Sequence, residues 1–213
     1  MRRYLVAGVL ILLTLSSCLT IMQSLITPDN ILTDKRIEGL WVESDSKSIL
    51  VQKFMDSKFK KVFTELKNEW KYTAQDSIFY TKLYVISFKE ANLGYTWLAG
   101  VVKIQDQYFL NLKPEDVLNE SEKEAYVEGE ATSSIAKLEW KSDNSLVLHF
   151  LNGDYIKEII LSGKARIKHE YNPLFNTFVI TASSGELEQF LARYGNNQSL
   201  FNGGNMIILT RKN

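Results

Sequence analysis

The chain is poor in the residues on which most small secreted or catalytic domains depend. One cysteine, Cys18, has no partner for an intrachain disulfide, so stability in an oxidising compartment must come from a packed core. His149 and His169 are the only histidines, and His-Glu-x-x-His, Cys-x-x-Cys, Gly-x-Ser-x-Gly and the phosphate-cradling glycine loop are all missing. The commonest zinc, serine-hydrolase and nucleotide chemistries therefore have no motif here, and neither an enzyme, a cofactor nor a metal is expected. Charge of neither sign dominates, with 25 Lys and Arg against 25 Asp and Glu, which argues against the basic face of a nucleic-acid binder. No apolar run reaches the ~20 residues of a transmembrane helix. Three prolines leave long stretches free to pair as strands.

What is present starts at the N-terminus. Arg2 and Arg3 precede an apolar run over residues 5–13, and the small residues of Leu15-Ser16-Ser17-Cys18 follow it, which is the order of a secretion signal. The ending resembles the bacterial lipoprotein signal, in which a leucine, two small residues and a cysteine are read by a dedicated peptidase after the cysteine is lipidated. The resemblance implies that Leu15, Ser16 and Ser17 are the recognition residues and that residues 1–17 are removed. Cys18 would then open the mature chain, carrying a diacylglyceryl thioether and an acylated amine, palmitate among the acyl groups. Acyl chains contribute ~0.8 kcal/mol per buried methylene, so several on one residue hold a protein to a membrane without a spanning helix. Leu19 is not the aspartate that retains such lipoproteins in the inner membrane of many Gram-negative bacteria. The expected location is the bacterial cell envelope, at the outer membrane.

Residues 18–36 show no clean period and contain Pro28-Asp29-Asn30. They read as a tether, with docking of their scattered apolar residues on the domain an equal alternative. Residues 37–213 form a single domain, and an aromatic content of 12% inclines it towards β-structure. Its first strand carries Gly39-Leu40-Trp41, which resembles the Gly-x-Trp of lipocalin-like barrels. In those barrels a basic residue after the last strand packs across the tryptophan, a place that Arg211 or Lys212 would take here. The Thr-Asp-Tyr motif of lipocalins is absent, and Gly153-Asp154-Tyr155 is a partial echo. Signal cysteine, early Gly-x-Trp and many strands together are similar to lipocalin-like lipoproteins of Bacteroidota. The resemblance implies an antiparallel barrel closed by Gly39, Trp41 and Arg211.

Residues 49–66 carry two patterns. Val51, Phe54, Met55, Phe59, Val62, Phe63 and Leu66 fall at helical spacing, whereas a barrel asks for a hairpin over 48–54 and 59–66; abundant β-branched and aromatic residues favour the hairpin. Residues 78–88 read as a strand. Alternation predicts hairpins over 97–113, turning at Asp106-Gln107, and over 138–150, turning at Ser142-Asp143-Asn144. The carboxylates of 114–130 lack the spacing of a calcium loop and read as a solvated helix or loop. Asp154 is expected to cap a short helix with Ile156, Ile159 and Ile160 on one face and Gly163 at its C′ position. Strands follow over 165–171 and from Phe178. Ser183 and Glu186 form a capping box for a helix that ends at Gly195, and the last strand runs from Met206 to Arg211. The expected fold is mainly β, an antiparallel lipocalin-like β-barrel with two or three short helices; α+β is the alternative.

Tyr80, Tyr84, Tyr108 and His169 lie on expected strand faces and are the candidates for lining a ligand cavity, although such aromatics often fill a core. Both histidines read more simply as structural imidazoles. Two roles follow. A hollow barrel would hold a small apolar or amphipathic ligand; a filled one would make the protein an interaction subunit or inhibitor that presents loops to an envelope protein. A void of ~300 Å3 or more separates them.

Overall fold

The computed structural model describes residues 19–44, 46–57, 74–90, 93–114, 132–202 and 206–212. Residues 1–17, read above as a signal, Cys18, the segment 59–66 and the carboxylates of 115–130 lie outside the described residues. In chain order the strands are β1 (Thr20–Ile21), β2 (Ile31–Leu32), β3 (Gly39–Ser44), β4 (Lys47–Lys53), β5 (Tyr84–Glu90), β6 (Leu93–Ile104), β7 (Gln107–Pro114), β8 (Ser134–Ser142), β9 (Ser145–Phe150), β10 (His169–Asn172), β11 (Thr177–Ile180) and β12 (Met206–Arg211). The α-helices are α1 (Ala74–Lys82), α2 (Gly153–Leu161) and α3 (Ser184–Tyr194).

Strands β3 to β9 pair antiparallel with their sequence neighbours, and β12 pairs with both β9 and β3, closing an eight-stranded antiparallel barrel. The fold is mainly β and lipocalin-like in architecture. Inward-facing residues follow the pleat: Trp41 lies beside Ile49, Val51 beside Ile86, Leu110 beside Ala136 and Leu138 across from Leu148. Both long hairpins form over the expected strands. The first turns at Gln105-Asp106, one residue before the expected Asp106-Gln107, because Gln105, at φ 54°, takes up the left-handed position and Gln107 already pairs with Ile104.

The outer wall formed by β6, β7 and β8 is also buried. Val102, Ile104, Phe109 and Ile135 point outward into a second core shared with Ile156 and Ile160 of α2, Leu187, Phe190 and Leu191 of α3, and Ile180 of β11. Strand β6 is therefore apolar on both faces, with Val101 inside and Val102 outside, each fully buried. Helix α3 starts with the expected capping box on Ser183 and Glu186. Helix α2 buries Ile156, Ile159 and Ile160, and Gly163 follows it at φ 73°, but its cap is Asn152, whose Oδ1 accepts from the Tyr155 N–H at 3.2 Å, rather than Asp154. Strand β10 begins at His169, four residues later than the alternation from Ala165 suggests.

Of the two equal readings of residues 18–36, docking is the one seen from Leu19 onward: Ile21, Leu25 and Ile31 are buried, β1 adds to β11, β2 adds to β6, and the Leu25 N–H donates to the buried Asn111 Oδ1 at 2.7 Å. Isolated apolar anchors stitch this stretch to the barrel wall, so no period marks it. Of the hairpin expected over 48–54 and 59–66, the first half is β4, paired along one edge by β3 and along the other by β5, so its second partner is β5, while 59–66 lie outside the described residues. Residues 78–82 belong to α1, not to a strand; Tyr80 packs against Phe54 with ring centroids 5.5 Å apart, so tertiary contact on the outer wall overrides an aromatic, β-favouring composition.

Candidate functional site

One end of the barrel is plugged. Asp34 caps a 3-10 turn, Lys35–Ile37, by accepting from the Arg36 N–H at 3.0 Å, and the turn lies across the barrel end with Ile37 pointing in. The Trp41 indole N–H donates to the Ile37 carbonyl at 2.8 Å, and the Arg211 guanidinium lies over the Trp41 ring, 4.3 Å from its centroid. Arg211 also donates to the carbonyls of Arg36 and Glu38, tying the last strand to the segment before the first. Gly39 makes room for it: φ is 118°, and a Cβ there would stand 2.8 Å from Arg211 Nη1. Gly39→Ala is expected to cost about 1–3 kcal/mol, mostly from forcing a side chain into that backbone conformation, as read from the urea midpoint. A loss under about 0.5 kcal/mol would mean that the backbone relaxes freely there.

Tyr84 and Tyr108 face inward at this plugged end. The Tyr84 hydroxyl accepts from the Asp34 N–H at 2.9 Å, and burial, followed by the nearby carboxylates, pushes its pKa up to about 12. Tyr108 packs edge-on to Trp140 at 5.2 Å, and the Arg36 guanidinium lies 4.0 Å from the Trp140 centroid. Burial raises the Asp34 carboxyl, but its hydrogen bonds with Arg36 outweigh that and hold it below the usual carboxylate range. These residues are structural closures.

Above the plug the barrel is hollow. A cavity of about 490 Å3 has Ile37 and Trp41 near its floor, with Ile49, Val51 and Ile86 on one wall and Leu110, Leu138 and Leu148 facing them. Phe88, Trp97, Leu112 and Phe150 ring it nearer the mouth, where the polar groups are Glu43, Lys47, Ser133 and Ser134. Leu19 and Ile21 also border it, so the described chain enters the fold at the mouth. The arrangement is an apolar pocket with a few polar groups at its rim, suited to one molecule with an apolar body.

None of the four expected lining residues lines this cavity. Tyr80 is outside the barrel on α1, while Tyr84 and Tyr108 are built into the plug. His169 stacks on Phe178 at 5.2 Å, its Nδ1 2.9 Å from the Ile167 carbonyl, beside a separate polar groove. His149 sits on the outer wall, its Nε2 2.8 Å from Glu139 Oε2; hydrogen bonds from Lys141 and His149 hold the Glu139 carboxyl below its ordinary value. Among the described residues no three His, Cys, Asp or Glu side chains gather as a metal site, and no helix is long and apolar enough to cross a membrane. The actual lining consists of leucine, isoleucine and valine with a few aromatics, a composition that in sequence looks like any core. Comparison with known proteins finds no matching family model, no matching curated protein and no matching solved structure.

Proposed function

We propose that this chain is a lipid-anchored binding protein of the bacterial cell envelope, held at the outer membrane through acyl chains on Cys18, whose barrel takes up one small apolar or amphipathic molecule. The observation that carries the ligand is the apolar cavity of about 490 Å3, within the range of small-molecule sites and above the size at which a barrel counts as filled. A dry, empty space of that size is costly to the lining side chains, which lose van der Waals partners on one side; an occupant restores them. Glu43 and Lys47 at the rim suit an amphiphile whose polar end stays in water. In this reading the protein has no catalytic residue and no cofactor. The interaction-subunit alternative calls for a filled barrel and is the weaker of the two.

A titration with the apolar fluorophore N-phenyl-1-naphthylamine tests it. One site per chain is expected, with quenching of tryptophan emission because Trp41 and Trp97 border the cavity. Leu148→Trp, which fills the wall, should weaken binding about tenfold or more while the chain stays folded. Equal binding by both forms would place the probe elsewhere and remove the support.

A further inference from the structure

The mouth end of the barrel carries a second feature that ligand binding does not use. The β10–β11 hairpin ends in Asn172-Pro173-Leu174-Phe175-Asn176, and Leu174 and Phe175 are 88% and 77% exposed, the most exposed large apolar side chains among the described residues. They are not loose. Asn172 Oδ1 accepts from the Leu174 N–H at 3.0 Å and from the Phe175 N–H at 3.4 Å, and Asn176 turns the chain at φ 52° while its side chain accepts from Lys157. A turn built this firmly holds two apolar side chains out in water, which is unfavourable unless something covers them.

Register shows which end of the molecule they occupy. β1 runs parallel to β11, with Thr20 beside Val179 and Ile21 beside Ile180, so Leu19, the residue before Thr20, lies towards the start of β11 at Thr177 and the hairpin tip. Leu19, the first described residue, borders the cavity mouth and meets Gly153 at the start of α2. Met206, half exposed, begins β12 beside Ile207, which also lines the cavity. The hairpin tip, the cavity mouth and Leu19 therefore share one end. The chain joined to Leu19 carries the apolar run 5–13 before cleavage and the proposed anchor Cys18 after it.

We infer that this end is a membrane-docking face, on which Leu174 and Phe175 dip into the headgroup boundary of a lipid bilayer and the cavity mouth is turned towards it. A bilayer fits better than a protein partner because the chain joined to Leu19 brings to this end either the apolar run 5–13, where it is uncleaved, or the acyl chains proposed on Cys18, where it is cleaved, and the firmly docked segment from Leu19 onward gives no slack by which the barrel could turn away. On the ligand-binding reading above, an occupant would pass between bilayer and barrel without crossing water. The docking face itself does not rest on that reading, and an empty cavity would leave it standing.

The full-length chain with Cys18→Ala has no other cysteine, so a single introduced thiol can carry an environment-sensitive nitrobenzoxadiazole dye. Residues 1–17 remain in that chain, so its apolar run 5–13 is present whether or not Cys18 is an acylation site. In vesicles of phosphatidylcholine and phosphatidylglycerol, dye on Phe175→Cys should shift to the blue and be quenched by bilayer-embedded brominated lipid. Dye on Asp143→Cys, in the β8–β9 turn at the plugged end, should behave as in water. Adding Leu174→Glu should reduce the quenching at position 175 several-fold. Aqueous emission at 175, or equal quenching at 175 and 143, would overturn the docking face.

Discussion

Trp41→Ala is expected to lower stability by about 3–5 kcal/mol, the range for deleting a fully buried large aromatic. The loss has separable parts. Trp41 is fully buried among the inward-facing residues of β3, β4 and β12, so truncation enlarges the space beneath the existing cavity. Its indole N–H is the donor to the Ile37 carbonyl, and that buried acceptor would lose its partner at about 1–3 kcal/mol. The Arg211 guanidinium would lose the ring face it covers at 4.3 Å. Urea unfolding followed by far-ultraviolet circular dichroism should show the midpoint fall with little change in slope. Trp41→Phe, which keeps a ring but not the donor, should cost less. A loss below about 1 kcal/mol for Trp41→Ala would mean that the plug is not what closes the barrel.

Cys18→Ala is expected to abolish acylation. Under the anchored reading, cells fed a tagged palmitate should label the wild-type chain and leave the variant unlabelled, an all-or-none result because the chain has no second thiol. Attachment through the uncleaved residues 1–17 or through Leu174 and Phe175 does not confuse the outcome, because palmitate incorporation reports acylation of residue 18 alone. A labelled Cys18→Ala chain, or an unlabelled wild type, would contradict acylation at that residue.

Where sequence and structure agree, a local physical signal is complete in itself. The hairpins of β6 with β7 and of β8 with β9 announce themselves because both strands alternate and both turns carry polar residues. The box on Ser183 and Glu186 is legible because two side chains satisfy two backbone groups within one turn. Gly39, Trp41 and Arg211 come together through the ends of the barrel, and only the resemblance to lipocalin-like barrels suggested that they would.

What stayed open or was misplaced concerns pairings and depths that no local pattern encodes. The stretch after Leu19 docks through Ile21, Leu25 and Ile31, spaced to suit the barrel wall beneath them rather than any repeat of its own. Residues 78–82 look like a strand because they are aromatic, yet they form a helix whose Phe79 and Tyr80 pack towards Phe54 and Leu83. The candidate site failed for a related reason. Alternation tells which side chains point inward but not how far along the axis the barrel is plugged, so Tyr84 and Tyr108 are inward and still not in the cavity. The residues that do line it, such as Leu110, Leu138 and Leu148, differ from core residues only in having space in front of them.

The central claim is that this space holds a molecule in the living cell. Native mass spectrometry of the protein released from its own membranes, with covalently bound lipid accounted for by a denaturing spectrum of the same sample, tests it most directly. The account predicts one noncovalent small molecule per wild-type chain and none on Leu148→Trp. A wild-type chain that flies without any adduct, under conditions that preserve its fold, would contradict it.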